Sequence, residues 1–97
     1  MNAVLNIYED CTSEKPTKQY VCRRLLFGAS QKIQELSKGL EKKTEEEQIE
    51  TNTDILKTIF PHFEDEDFYK IDPVEWLEFV NEVGRETNQA ASRAVKK

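Results

Sequence analysis

With 97 residues, the chain has the length of a single domain, 1–97, near the lower end of what folds without disulfide or metal staples. Its 37% hydrophobic and 34% charged residues, with three glycines and three prolines, exclude a collagen-like or wholly disordered chain and favour helices over a sandwich. A net charge of -5 gives the long-range field the wrong sign for nonspecific binding to nucleic acid or anionic membrane, so the expected partner is a protein.

The first element is open to two readings. Val4, Ile7, Tyr8 and Cys11 have helical spacing, yet Val4 to Tyr8 is also a β-prone run, followed by a turn-rich stretch and a second β-prone run at Tyr20 to Cys22. A run this short before a turn signal is marginal as a helix, so the reading adopted is a β-hairpin over about 3–9 and 18–24. Such a hairpin must dock on the helices that follow, because two strands alone are not stable. Residues 25–84 are expected to form the helical core. Leu26, Ala29, Ile33, Leu36 and Leu40 recur at three- and four-residue steps and predict a helix over about 29–42, with Gly28 at its entry and Gly39 weakening its last turn. On this pattern Leu26 belongs to the buried stripe.

Thr44 to Glu47 reads as a capping box opening a second helix over about 45–60, whose inner face would be Ile49, Leu56, Ile59, Phe60 and then Phe63. Pro61 should end it. The acidic stretch Glu64 to Asp67, with Phe68 and Tyr69 after it, is long enough for one helical turn. Asp72 can cap a third helix, Pro73 suits its first position, and Glu75 sits where a capping-box acid reaches back. Trp76, Phe79, Val80 and Val83 form its apolar stripe, backed by Val74 and Leu77, so the helix over about 73–92 must bury a face. The polar stretch 85–97 should continue it and fray. The expected fold is mainly α, a small bundle of three helices with a short N-terminal hairpin.

Few residue patterns carry chemistry. With one His, no Gly-rich phosphate loop and no nucleophile elbow, the chain is read as a non-enzyme without cofactor or small-molecule substrate. Cys11 and Cys22 are expected as free thiols, and with His62 they are too few for zinc. The acids at 64–67 fail as a calcium loop, since Phe68 and Tyr69 stand where an oxygen ligand and a glycine are needed, and are read as a solvated loop. Arg23 to Phe27 matches the short basic-Leu-aromatic pattern by which some regulators dock on cyclins, and Cys22 to Gly28 resembles the first segment of cyclin-dependent kinase inhibitors. Phe68, Tyr69, Trp76 and Phe79 are the candidate partner-binding residues, with burial in the core as the competing reading.

The order of parts resembles the tail assembly chaperones of long-tailed bacteriophages and prophages. The resemblance runs from the Val4 to Asp10 segment through Lys18 to Cys22, the Leu-rich helix and the Glu-rich helix start. It is strongest where Ile59 to Phe63 is followed by Glu66 to Tyr69 and a Pro-initiated helix closing in Asn81 to Gly84. It implies a small helical protein of the host cytoplasm, absent from the mature virion, that keeps the tape measure protein soluble and helps recruit tail tube protein during tail morphogenesis. Self-association fits a protein that coats a long rod. No apolar run approaches the roughly 20 residues of a membrane span, and the N-terminus lacks a secretory pattern, which agrees with a cytoplasmic expectation. The competing functions are an inhibitor docking through Arg23 to Phe27 and an acidic DNA mimic.

Overall fold

A computed structural model describes residues 2–95, with side chains placed to Thr87. The chain folds as a mainly helical protein with three long helices and a two-stranded antiparallel hairpin: β1 (Ala3–Ile7), β2 (Lys18–Cys22), α1 (Phe27–Ser37), α2 (Glu45–Ile59) and α3 (Pro73–Val95). A 3-10 turn at Leu40–Lys42 links α1 to α2, and a second at Asp65–Lys70 links α2 to α3. Among the described residues, no helix is long and apolar enough to cross a membrane.

The hairpin pairs Ala3 with Cys22, Leu5 with Tyr20 and Ile7 with Lys18. Alternation then sends Ala3, Leu5, Ile7, Tyr20 and Cys22 to one face, where they meet the helices, while Val4 and Val21 face outward. Each strand starts where expected and ends two residues early. Tyr8 leaves the ladder because its N–H donates instead to the carbonyl of Lys70, at 2.9 Å, tying the strand end to the second 3-10 turn. Cys11 falls in the exposed turn and Cys22 in the core, and both are free thiols.

The helix starts follow their local chemistry. Thr44 Oγ1 accepts from the Glu47 N–H and the Glu47 carboxylate accepts from the Thr44 N–H, completing the capping box of α2. Asp72 caps α3 by accepting from the Val74 N–H at 2.8 Å. Glu75 does not close the expected capping box there. Its Oε1 accepts from Asn6 Nδ2 at 3.0 Å and its Oε2 from the Tyr8 hydroxyl at 2.7 Å, so this acid clamps α3 to β1.

The ends of α1 also depart from expectation. It stops at Ser37, short of 42, because Gly39 takes a left-handed conformation with φ 71° that ends the helical run, and the 3-10 turn follows. At its start Leu26 is an extended N-cap residue and lies 66% exposed, not on the buried stripe; Ser30 and Ile33 carry the inward face. The buried side of α2 is centred on Thr51, Thr53, Ile55 and Leu56, with Ile49 only half-buried. The threonines fit because Thr53 Oγ1 donates to the Ile49 carbonyl and Thr51 Oγ1 accepts from Lys43 Nζ. α3 extends to Val95, three residues past the expected end, and the fraying expected toward Lys97 falls in part outside the described residues.

One cluster of buried side chains joins these parts: Ala3, Leu5, Ile7 and Cys22 from the hairpin, Ile33 from α1, Ile55, Leu56, Phe60 and Phe63 from α2 and its end, and Phe79 and Val83 from α3. β1 packs on α3, and α1 lies against both α2 and α3. Rings carry the contact across the molecule: Tyr20 to Phe60 at 5.2 Å, Phe60 to Phe79 at 6.0 Å, Phe79 to Trp76 at 6.1 Å.

Candidate functional site

The three helices do not close on one another along their full length. Between them runs an open groove of about 400 Å³. α1 and its end supply Ile33, Gln34, Ser37, Lys38 and Leu40; α2 supplies Asn52, Ile55 and Ile59; α3 supplies Trp76, Phe79, Val80, Val83, Gly84 and Thr87. Of the helices that form it, α1 ends at Ser37 before the left-handed Gly39, α2 ends at Ile59 before Pro61, and α3 runs from Pro73 to Val95.

The groove is lined mostly by apolar side chains. Among the described residues that line it, Lys38 is the one charged side chain, although the protein is acidic overall. Thr87 is neutralised within its own helix, since its hydroxyl donates to the Val83 carbonyl at 2.8 Å. The trough has apolar walls and a polar rim of Gln34, Ser37 and Asn52.

The four candidate residues divide. Trp76 and Phe79 line the groove, the first half-buried and the second 3% exposed, so Phe79 serves the core and the groove floor at once. Phe68 stands behind Trp76, edge to face at 5.3 Å, and fixes its ring. Tyr69 is 74% exposed and lines a separate cleft with Tyr8, Cys11, Asp72 and Pro73. Ile33, Ile55 and Val83 form more of the groove than Phe68 or Tyr69 does. They escape a search for aromatic clusters, and only the stripes of the three helices taken together point to them.

Two polar clusters brace the frame. Asp67, 3% exposed, accepts from Lys18 Nζ at 2.9 Å and from the Tyr20 hydroxyl at 2.8 Å. The expectation of a solvated acidic loop therefore fails at Asp67, which Lys18 and Tyr20 draw inward. The Glu64, Glu66 and Asp67 carboxylates lie within 4.8 Å of one another, but the Asp67 oxygen that faces β2 is already committed to those two donors. Burial, and next the bond to Asp67, raise the Tyr20 hydroxyl above its ordinary range; the Lys18 ammonium is raised by the same carboxylate. Tyr8 is raised by its bond to Glu75. Each of these groups is held by a neighbour within the fold, which makes the clusters clamps between hairpin and helices.

No protein-family model matches the chain, and neither a curated protein nor a solved structure matches it.

Proposed function

We propose that this protein is a non-catalytic binding protein that holds an apolar helical segment of another polypeptide in the groove between α1, α2 and α3. The observation that carries this reading is the groove lining, whose walls are apolar, with Gln34, Ser37 and Asn52 at the rim and Lys38 as its single charge. Burial of a partner's apolar face there replaces water at about 25 cal/mol per Å² of apolar surface, and the net charge of -5 keeps the complex dispersed. Together with the order of parts in the sequence, this supports action as a tail assembly chaperone in the cytoplasm of a bacterial host. The client is then the tape measure protein, whose apolar helical surface is masked until tail tube protein assembles around it.

The test is co-expression with a tape measure protein. The soluble fraction of the client should rise and the two chains should elute together; separate elution would count against the reading. Ser37→Trp, at an exposed position, should obstruct the groove without touching the core and weaken co-elution. Lys38→Glu should select against acidic client segments.

The exposure of Leu26 and Phe27, 66% and 54%, supports a second reading, a regulator that docks through Arg23 to Phe27 on a kinase–cyclin type partner. Leu26→Ala with Phe27→Ala would abolish that docking and leave client solubilisation through the groove intact.

A further inference from the structure

The outer edge of α3 carries apolar surface that the fold leaves uncovered. Val74 and Leu77 are 65% and 61% exposed and lie outside the groove lining. Two turns beyond Leu77, where this edge meets the groove that it also lines, stands Gly84, exposed, and an added methyl group there would meet nothing within 4 Å. Glycine inside a helix is less favourable than alanine because it loses more backbone freedom. Nothing in the chain's own packing calls for the missing side chain at this position. A helix approaching from outside does, since small residues let two helix axes come close.

We propose that this edge is a self-association surface, on which two copies pair their third helices antiparallel about a twofold axis, Leu77 of each seated in the notch at Gly84 of the other. The edge is self-complementary in shape, a protruding side chain and a recess seven residues apart, as a twofold interface requires. It is self-complementary in charge as well. Glu78 and Arg85 each follow their apolar neighbour by one residue, so the antiparallel register brings Glu78 to an axial offset of about 3 Å from the partner's Arg85, twice by symmetry. Arg85 reaches its own Glu82 at 3.4 Å and its side chain is still 64% exposed. A parallel twofold pairing would set Leu77 against Leu77 and Gly84 against Gly84, leaving the notch unfilled and Glu78 and the partner's Arg85 on opposite sides of the interface, which selects the antiparallel one. This surface needs no client and goes beyond the function proposed above.

The experiment is sedimentation velocity on the full chain alone, from about 1 µM to about 1 mM, the range of a weak homodimer. The mass should rise from that of the 11.3 kDa monomer toward twice that value. Leu77→Glu and Gly84→Leu should each raise the dissociation constant at least about tenfold, since every substitution enters a twofold interface twice. Gly84→Ala should weaken association while stabilising the helix, so its loss of dimer cannot be put down to unfolding. Glu78→Arg and Arg85→Glu should each weaken the dimer, and the two together should restore it. A monomer at every concentration overturns the proposal, as does a dimer indifferent to Leu77→Glu and Gly84→Leu, or a charge-swapped double variant that stays monomeric. Leu77, Glu78 and Arg85 lie outside the groove lining, so their variants report on this edge alone, whereas Gly84 also lines the groove.

Discussion

Asp67 shows what a single buried charge demands of its surroundings. A carboxylate taken out of water without partners is strongly unfavourable, and here Lys18 and Tyr20 reach it from β2. The pH dependence follows from the direction of the shifts. Tyr20 is raised above its ordinary value of 10.0 in the folded protein, so its contribution to stability is complete below that pH and is lost as pH climbs through the higher folded value. Lys18 and Tyr8 are raised too and add to the same alkaline limb. Urea midpoints should therefore be flat through neutrality and fall above about pH 10. Tyr20→Phe should cost about 1 to 2 kcal/mol at pH 7 and make the alkaline fall shallower without removing it. A variant with an unchanged alkaline limb would show that the hydroxyl is not the titrating group. None of this was readable in the sequence, because the hydrogen bonds that hold Asp67 join residues 47 and 49 positions apart.

Elements were legible where their causes are local. The starts of α2 and α3 are written in Thr44, Glu47, Asp72 and Pro73, all within four residues of the turn they stabilise. Thr44→Ala should thus cost about 1 kcal/mol in thermal or urea unfolding, with the loss confined to the cap. The end of α1 was placed too late because a helical stripe does not reveal which glycine turns left-handed. With φ at 71°, Gly39→Ala should destabilise by about 1 kcal/mol despite alanine's better helix propensity, the opposite of its effect at Gly84. Comparing the two unfolding midpoints checks both signs at once. Faces were harder than ends. Leu26 fits the stripe by spacing, yet it precedes the first helical residue and so escapes the helix geometry that the spacing presumes. Thr53 and Thr87 can be buried because each donates its hydroxyl to the carbonyl four residues back, and Thr51 because it accepts from Lys43, and a count of apolar residues passes over all three. Glu75 fits a capping box by position, but Asn6 and Tyr8 compete for its oxygens from a strand 67 to 69 residues away.

At the scale of the molecule, hairpin and helices depend on one core. Ala3, Leu5, Ile7 and Cys22 are four of the eleven described residues in its buried cluster, with Leu5 and Ile7 at 0% and 1% exposure. A domain this small is stabilised by roughly 5–15 kcal/mol in all, and truncating one buried leucine to alanine costs about 2–5 kcal/mol. Leu5→Ala should therefore lower the unfolding midpoint steeply. Deletion of residues 1–22 removes all four contributions and the Tyr20 ring that packs on Phe60 and Phe63. Phe60 in turn supports Phe79, whose other side is the groove floor, so the damage should reach a surface the hairpin does not touch. The truncated chain is expected to keep helical far-UV circular dichroism, since its caps are local. It should lose near-UV signal and a sharp transition, and should no longer solubilise a helical client. A truncated chain with an unchanged transition would mean that the helices pack without the hairpin, and the ring contacts from Tyr20 to Phe79 would then carry no support to the groove.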